Sequence, residues 1–370
     1  MTATATKPKA SSTTVTIPRA ELLEALTAVG RAVQGRGPKP ILANCRIGDG
    51  VISGTDLEVR IDRTIGEVCE PFLVPHERLL AIVRAASGDT VKLTQKDTSV
   101  TVQCGGGKWT LPTEDVAEYP TWEPADLTPV CRLPADQFAR AARATTYATD
   151  TESSRYALGA VLIEVEGGNP TWVATDGRRL SCVETETDQA VDDRQVLVPR
   201  RVLDIVASMA TGDGSVQIEA NTKEVRLELD GTTVTGRVVD GRFPRWRDVM
   251  GEPEGKASVL DVQELLAAVR SAAIVTSEQS KGIDLVWTSN TLVLSARSAE
   301  YGESTVKCDV VAAGETSGTK LDPRFVADFL RSIPSDEEPH VDVYVKDPQS
   351  RVLFKCGPYT GVVMPLAADA

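Results

Sequence analysis

The sequence predicts an α+β protein made of three similar, sheet-rich units, each carrying two helices. Three observations lead there: one helix motif recurs three times, a second helix type precedes each copy, and strand-like segments fill the rest. The recurring motif reads VPHERLLAIVRAASGD from Val74, VPRRVLDIVASMATGDG from Val198 and LDPRFVADFLRSIPSDE from Leu321, with starts 124 and 123 residues apart. Proline in the first turn, an apolar stripe and a terminating Gly or Pro are helix start and stop chemistry.

The preceding helix reads IPRAELLEALTAVGRAV from Ile17, LPADQFARAARATTYAT from Leu133 and LDVQELLAAVRSAAIVT from Leu260, with spacings of 116 and 127 residues. In its third copy Leu265, Leu266, Val269, Ala272 and Ala273 share one face at helical spacing. Between the helices, VISGTDLEVRID, AVLIEVEGG, TWVATDGRRLSCVETE, EVRLELDG, TLVLSAR, VDVYVK and RVLFKCG alternate, or run β-branched, between turn residues. Pro- and acid-rich stretches near 124–129 and 251–255 mark boundaries. They divide the chain into a disordered tail at 1–14 and domains at 15–128, 129–254 and 255–370.

A chain of 370 residues, 41% hydrophobic and 25% charged, buries several cores. His76 and His340 are its only histidines, which leaves no room for a histidine-rich metal site. Cysteines 45, 69, 104, 131, 182, 308 and 356 include no C-x-x-C pair and read as reduced, mostly buried thiols. Met1 to Thr14 has no apolar core of a signal peptide, and no window approaches 18 apolar residues, so a cytoplasmic protein is expected. CGGGKWT at 104–110 misses the phosphate-loop spacing, no G-x-S-x-G occurs, and TDGRR and GTDLE read as turns. No catalytic residue, metal or cofactor is expected. The enzyme alternative is a hydrolase drawing carboxylates from separate repeats, around Asp56, Asp176 or Asp240.

The formal net charge of −13 argues against a protein that coats nucleic acid by bulk positive charge. Its distribution is uneven. The helix windows 18–39, 75–89, 134–147, 199–209, 261–281 and 321–333 together carry +3, leaving −16 for the rest. Arg140 and Arg143 lie three apart on one exposed helical face.

Seven ordered stretches carry a family resemblance: GTDLEVRID at 54–62, TLPTEDVAEYP at 110–120, SRYALGAVLIEVEG at 154–167, VATDGRRLS at 173–181, LVPRRVLDIV at 197–206, VVDGRFPRWRDVM at 238–250 and VVMPL at 362–366. With the threefold repeat and the length, they resemble the beta subunits of bacterial DNA polymerase III, the beta sliding clamps. The resemblance implies a head-to-tail homodimer closing six domains into a ring around duplex DNA, with sheets outside and helices lining the hole. It implies a non-catalytic processivity factor, cytoplasmic and nucleoid-associated, with no membrane contact. Partners would be DNA, held topologically without sequence preference, and the polymerase III catalytic subunit, the clamp loader and repair polymerases, held through short linear peptides.

By the same resemblance, DNA contacts fall on Arg36, Arg155, Tyr156, Arg200 and Arg201. The peptide cleft falls on Leu158, Thr175, Gly177, Arg178, Arg179, Leu180, Pro244, Val249, Phe325, Val362, Val363, Met364, Pro365 and Leu366. The chain departs from the family in four places: Ala157 replaces a second aromatic, Ser280 stands where an aromatic can occur, Asp248 replaces a common arginine, and the end runs Leu366-Ala367-Ala368-Asp369-Ala370. These departures leave open a clamp paralogue that binds partner peptides or an inhibitor without being the replicative clamp.

Overall fold

The computed structural model describes residues 12–366, apart from 36, 38, 123–124, 151–155, 188–191, 278–280, 289, 315–316 and 336–338. The seven α-helices among these residues are α1 (Arg19–Val29), α2 (His76–Ala85), α3 (Ala135–Thr146), α4 (Arg200–Ala207), the short α5 (Trp246–Met250), α6 (Val262–Ala272) and α7 (Pro323–Ser332). The six longer helices use two starting devices. Pro18, Pro75, Pro134 and Pro199 precede α1 to α4 with φ between −51 and −56°, where the ring's fixed φ carries the chain from strand into helix. In the last pair aspartates do this work. Asp261 accepts from the Gln263 and Glu264 amides at 2.8 and 2.9 Å, and Asp322 from the Arg324 amide at 3.0 Å. The first helix is shorter than its sequence motif suggests: it stops at Val29, and Gly30, a poor helix former, opens a turn before the Ala32 and Val33 positions.

The chain forms two compact units, one of residues 1–128 with 217–237, the other of 129–216 with 238–370. The first unit has a four-stranded antiparallel sheet in the order Thr13–Pro18, Thr90–Lys96, Ser99–Cys104, Gly107–Pro112. Its second sheet includes, as successive neighbours, Phe72–Pro75, Asn44–Gly48, Val51–Thr55, Val59–Thr64, Thr232–Arg237 and Glu224–Leu229. The register Val234↔Ile61 ties the 232–237 strand, distant in sequence, into this sheet.

His76 begins α2, is buried, and bonds through Nε2 to the Leu26 carbonyl of α1 at 2.7 Å. Burial pushes its imidazole below the ordinary value of 6.5. Between the two values the unfolded chain binds more protons than the folded one, so this contribution is whole above about pH 6.5 and is lost as pH falls. The melting temperature should therefore drop between pH 7.5 and 5.5, and His76→Gln should reduce that drop. An identical pH profile in the variant would exclude His76 as its source.

In the second unit an eight-stranded antiparallel sheet orders Arg194–Pro199, Ala160–Glu166, Asn169–Thr175, Arg179–Glu184, Tyr359–Val363, Val352–Cys356, His340–Val345 and Ser258–Asp261. A four-stranded sheet orders Gly302–Asp309, Thr291–Ser298, Ile283–Trp287 and Gly318–Leu321. At the centre of the larger sheet Ser181 lies opposite Gly361. The Ser181 hydroxyl donates to the Ala144 carbonyl of α3 at 2.5 Å, and the Phe329 ring of α7 occupies the space above Gly361, 2.4 Å from where a Cβ would sit. Two small residues thus seat two helices on one face. Their neighbours Leu180 and Val362 point the other way, into a buried cluster with Ala160, Leu162, Val173, Cys182, Leu197, Trp246 and Leu353.

None of the seven cysteines forms a disulfide; six are buried and Cys69 is partly so. Burial pushes Cys45, Cys131 and Cys182 up to about 12, which suppresses thiolate chemistry near neutral pH. Among the described residues no helix is long and apolar enough to cross a membrane.

Candidate functional site

The cleft positions named from the sequence lie in the second unit on both sides of one sheet: Leu180 and Val362 point away from α3 and α7, whereas Arg179 is on the helix side and Phe325 belongs to α7. Strands Asn169–Thr175 and Arg179–Glu184 are joined by a turn whose geometry the side chains dictate. The Thr175 hydroxyl donates to the Arg179 carbonyl at 2.6 Å and accepts from the Gly177 amide at 3.1 Å. One Asp176 oxygen accepts from the Arg178 and Arg179 amides at 2.9 and 3.0 Å. Gly177 has φ +87°, a left-handed conformation that glycine adopts without strain; Leu57 holds the equivalent place in the first unit at φ +82°.

The same network occurs at Thr55–Val59. Thr55 donates to the Val59 carbonyl at 2.8 Å and accepts from the Leu57 amide at 3.0 Å, and Asp56 accepts from Glu58 and Val59 at 3.0 and 2.9 Å. Asp56 and Asp176 are therefore committed to backbone amides as turn-formers, the role their sequence context suggested. Ser298 holds the equivalent hairpin in the last repeat, accepting from Glu300 and Tyr301 at 3.2 and 3.1 Å.

Arg179 locks the turn to the helices. Its guanidinium pairs with Asp176 at 3.0 Å and with Asp328 of α7 at 2.7 Å, and donates to the Tyr147 carbonyl at 2.6 Å. It also lies over the rings of Tyr147 and Phe325, at 5.2 and 4.6 Å from their centroids. Burial pushes the Tyr147 phenol up to about 12, so it stays a neutral hydroxyl. Arg179 is thus a positioning residue whose donors are already engaged.

The C-terminal segment leaves strand Tyr359–Val363 and crosses the turn. The Met364 amide donates to the Arg178 carbonyl at 2.9 Å, and the Leu366 amide to the Lys320 carbonyl at 2.8 Å. Met364 is 40% exposed and Val249 of α5 is 42% exposed, which makes them the cleft's accessible large aliphatic side chains. Leu158, Thr175, Leu180, Val362 and Val363 are buried, with Leu180 and Val362 in the apolar cluster that forms the floor; Phe325, Pro365 and Leu366 are half-buried, and Arg178 and Pro244 exposed. α5 is held by Arg247, which stacks on Trp246 at 4.2 Å and pairs with Glu164 at 2.5 Å and Glu166 at 2.6 Å. Asp328, Trp246 and Arg247 were not nominated from the sequence, and Asp176 was named there only as a turn residue and as a carboxylate of the enzyme alternative. Only Asp176 had a local signal, its place in a Thr-Asp-Gly turn.

The DNA-contact positions are less fully placed. Arg36 and Arg155 lie outside the described residues, as do Ser280 and the last four residues. Tyr156 opens the 3-10 turn Tyr156–Gly159, and nothing of its side chain is described. Arg200 and Arg201 start α4; Arg200 is 40% exposed and pairs with Asp204 at 3.1 Å. The six helices of eight residues or more carry ten arginines and no lysine, against seven carboxylates. The net +3 read from sequence windows therefore holds for the observed helices.

A sheet with a partly apolar cleft on one face and arginine-bearing helices on the other defines a binding scaffold that uses both its faces. Comparison with known proteins places it more closely. Residues 13–123 match the N-terminal domain, and 132–245 the central domain, of the DNA polymerase III beta subunit. The beta sliding clamp of Pseudomonas aeruginosa is 30% identical over 329 residues, covering 86% of this chain and 89% of its own. That of Haemophilus influenzae is 28% identical over 331 residues, covering 87% and 90%. A crystal structure of the Pseudomonas aeruginosa clamp bound to griselimycin, 27% identical, covers 97% of this chain and all of its own with a TM-score of 0.89. The Bacillus subtilis clamp, 20% identical with a TM-score of 0.90, shows the shared fold. The chain belongs to the family of bacterial DNA polymerase III beta subunits, the sliding clamps, and is a non-catalytic processivity subunit.

Proposed function

We propose that this chain forms a head-to-tail homodimeric ring of six domains, with repeats at 15–128, 129–254 and 255–370, that encircles duplex DNA in the cytoplasm. It tethers the polymerase III catalytic subunit, the clamp loader and repair polymerases by their linear peptides. The observation that carries this reading is the two-sided sheet of the second unit. Exposed Val249 and Met364 over an apolar floor suit a short apolar peptide, and Met364 is a deformable contact. Ring closure holds DNA topologically, so the modest excess of helix arginines suffices, and the acidic remainder does not oppose encirclement. Arg36, Arg155, Tyr156, Arg200 and Arg201 are assigned to phosphate contact within that hole.

Two features support the dimer. Strand Gly107–Pro112 ends one four-stranded sheet and Gly302–Asp309 ends the other, so each leaves an edge able to pair with a second copy. Ile274, 77% exposed, lies just after α6, which packs against the Gly302–Asp309 strand. Light scattering at micromolar concentration should give about twice the 39.6 kDa chain mass, and Ile274→Asp should shift it toward one chain. A monomeric native protein would overturn the ring.

A further inference from the structure

Helix α5 is a single turn, far too short to hold its own shape, yet it carries the exposed Val249 and the Met250 side chain that packs against the apolar floor. Two arginines hold it from opposite sides. Arg247 of the helix itself reaches Glu164 and Glu166 of strand Ala160–Glu166 at 2.5 and 2.6 Å. At the other end Arg351, next to strand Val352–Cys356, donates from Nε to the Met250 carbonyl at 3.0 Å and from Nη2 to the Glu252 carbonyl at 3.1 Å. We propose that Arg351 is a positioning residue for peptide recognition: it pins the end of α5 so that the helix becomes a strap across the cleft, a role that rests on the peptide-cleft reading above.

The course of the strap follows from the sheet. Glu164 follows Ala160 and Leu162, and Arg351 precedes Leu353, at the strand period of two, so both sit on the face of the apolar cluster. The strands that carry or adjoin them flank Asn169–Thr175, Arg179–Glu184 and Tyr359–Val363, the strands that place Leu180 opposite Val362. α5 is therefore anchored on both sides of the floor, with Val249 between its anchors in sequence. The anchors differ in kind. Arg247 meets carboxylates, whereas Arg351 meets main-chain carbonyls at a helix end, where no intrahelical donor is left for them. Gly251 admits the close approach: it has φ +52°, and a Cβ there would lie 2.4 Å from Arg351 Nη2 and 3.0 Å from Cζ. The guanidinium fork holds both carbonyls at once. Without it α5 is held from one side, and Val249 loses its fixed place over the floor.

The test reads binding and local opening together. Full-length protein is titrated with a fluorescein-labelled linear peptide of the polymerase III catalytic subunit, read by anisotropy, and amide hydrogen exchange is followed on the same proteins. Arg351→Gln should weaken peptide binding about tenfold, because two charge-assisted hydrogen bonds are lost. Exchange should speed up across 246–252, including the Gly251 amide that donates to the Arg247 carbonyl at 2.9 Å, while strand Arg179–Glu184 keeps its native rates. Gly251→Ala, whose methyl displaces the guanidinium, should weaken binding similarly and add little in the Arg351→Gln background. Lys346→Gln removes only the exposed pair with Glu254 further along the same segment and should cost less than about threefold. Native affinity in Arg351→Gln would overturn the pin. So would an equal loss in Lys346→Gln, or a loss accompanied by equally faster exchange in Arg179–Glu184, which is general loosening of the sheet. A native protein that binds no peptide would instead fail the cleft reading on which the pin depends.

Discussion

Replacing Phe329 with alanine is expected to destabilise the second unit by about 3–5 kcal/mol, the largest stability effect among the substitutions considered. Phe329 is 1% exposed, packs against Phe354 with centroids 5.7 Å apart, and covers Gly361 at the centre of the eight-stranded sheet. Truncation removes the ring and leaves a cavity that the rigid sheet cannot close. The complementary change tests the same contact from below. Gly361→Ala on its own puts a methyl 2.4 Å from the ring and should cost about 1–3 kcal/mol by overpacking. In the Phe329→Ala background the same methyl enters empty space, so its cost should vanish or reverse. Denaturant titrations of the four proteins complete the cycle, and strictly additive effects would show that α7 is not seated on Gly361.

Arg179→Ala is expected to weaken partner-peptide binding at least tenfold and to cost roughly 2–3 kcal/mol of stability. Removing one partner of a buried ion pair typically costs about 3–5 kcal/mol; Asp328 is 31% exposed, so solvent recovers part of that. The binding loss follows from geometry. Arg179 fixes the turn whose Arg178 carbonyl accepts the Met364 amide, so its removal frees both the turn and the C-terminal segment. Lysine should not rescue it, because a single ammonium cannot reach Asp176, Asp328 and the Tyr147 carbonyl together while lying over two rings. Peptide titration by fluorescence anisotropy reads the effect. Unchanged affinity in Arg179→Ala would move the cleft elsewhere on the molecule.

Much of this arrangement is legible along the chain, because its signals are local. Proline or aspartate ahead of each of the six longer helices fixes where they begin, and the Thr-Asp turn breaks VISGTDLEVRID and TWVATDGRRLSCVETE into hairpins at Asp56 and Asp176. The stretches at 173–181 and 362–366 lie far apart in sequence, yet Leu180 and Val362 sit opposite each other in neighbouring strands. What is not legible is long-range. Nothing near Asp328 announces that its carboxylate meets Arg179 across 149 residues, and nothing within 232–237 says that it pairs with 59–64. Strand pairing depends on which edges remain available after folding, a property of the whole chain. The net charge shows the same limit: −13 describes the sum and hides that the six longer helices carry ten arginines against seven carboxylates.

The central claim, that this chain acts by encirclement, is tested most directly by retention on DNA of different topology. The clamp is loaded by its loader onto nicked circular DNA, separated from free protein, and the DNA is then cut once. Retention on the circle and release on linearisation is the predicted result. Equal loss from circular and linear DNA would contradict it.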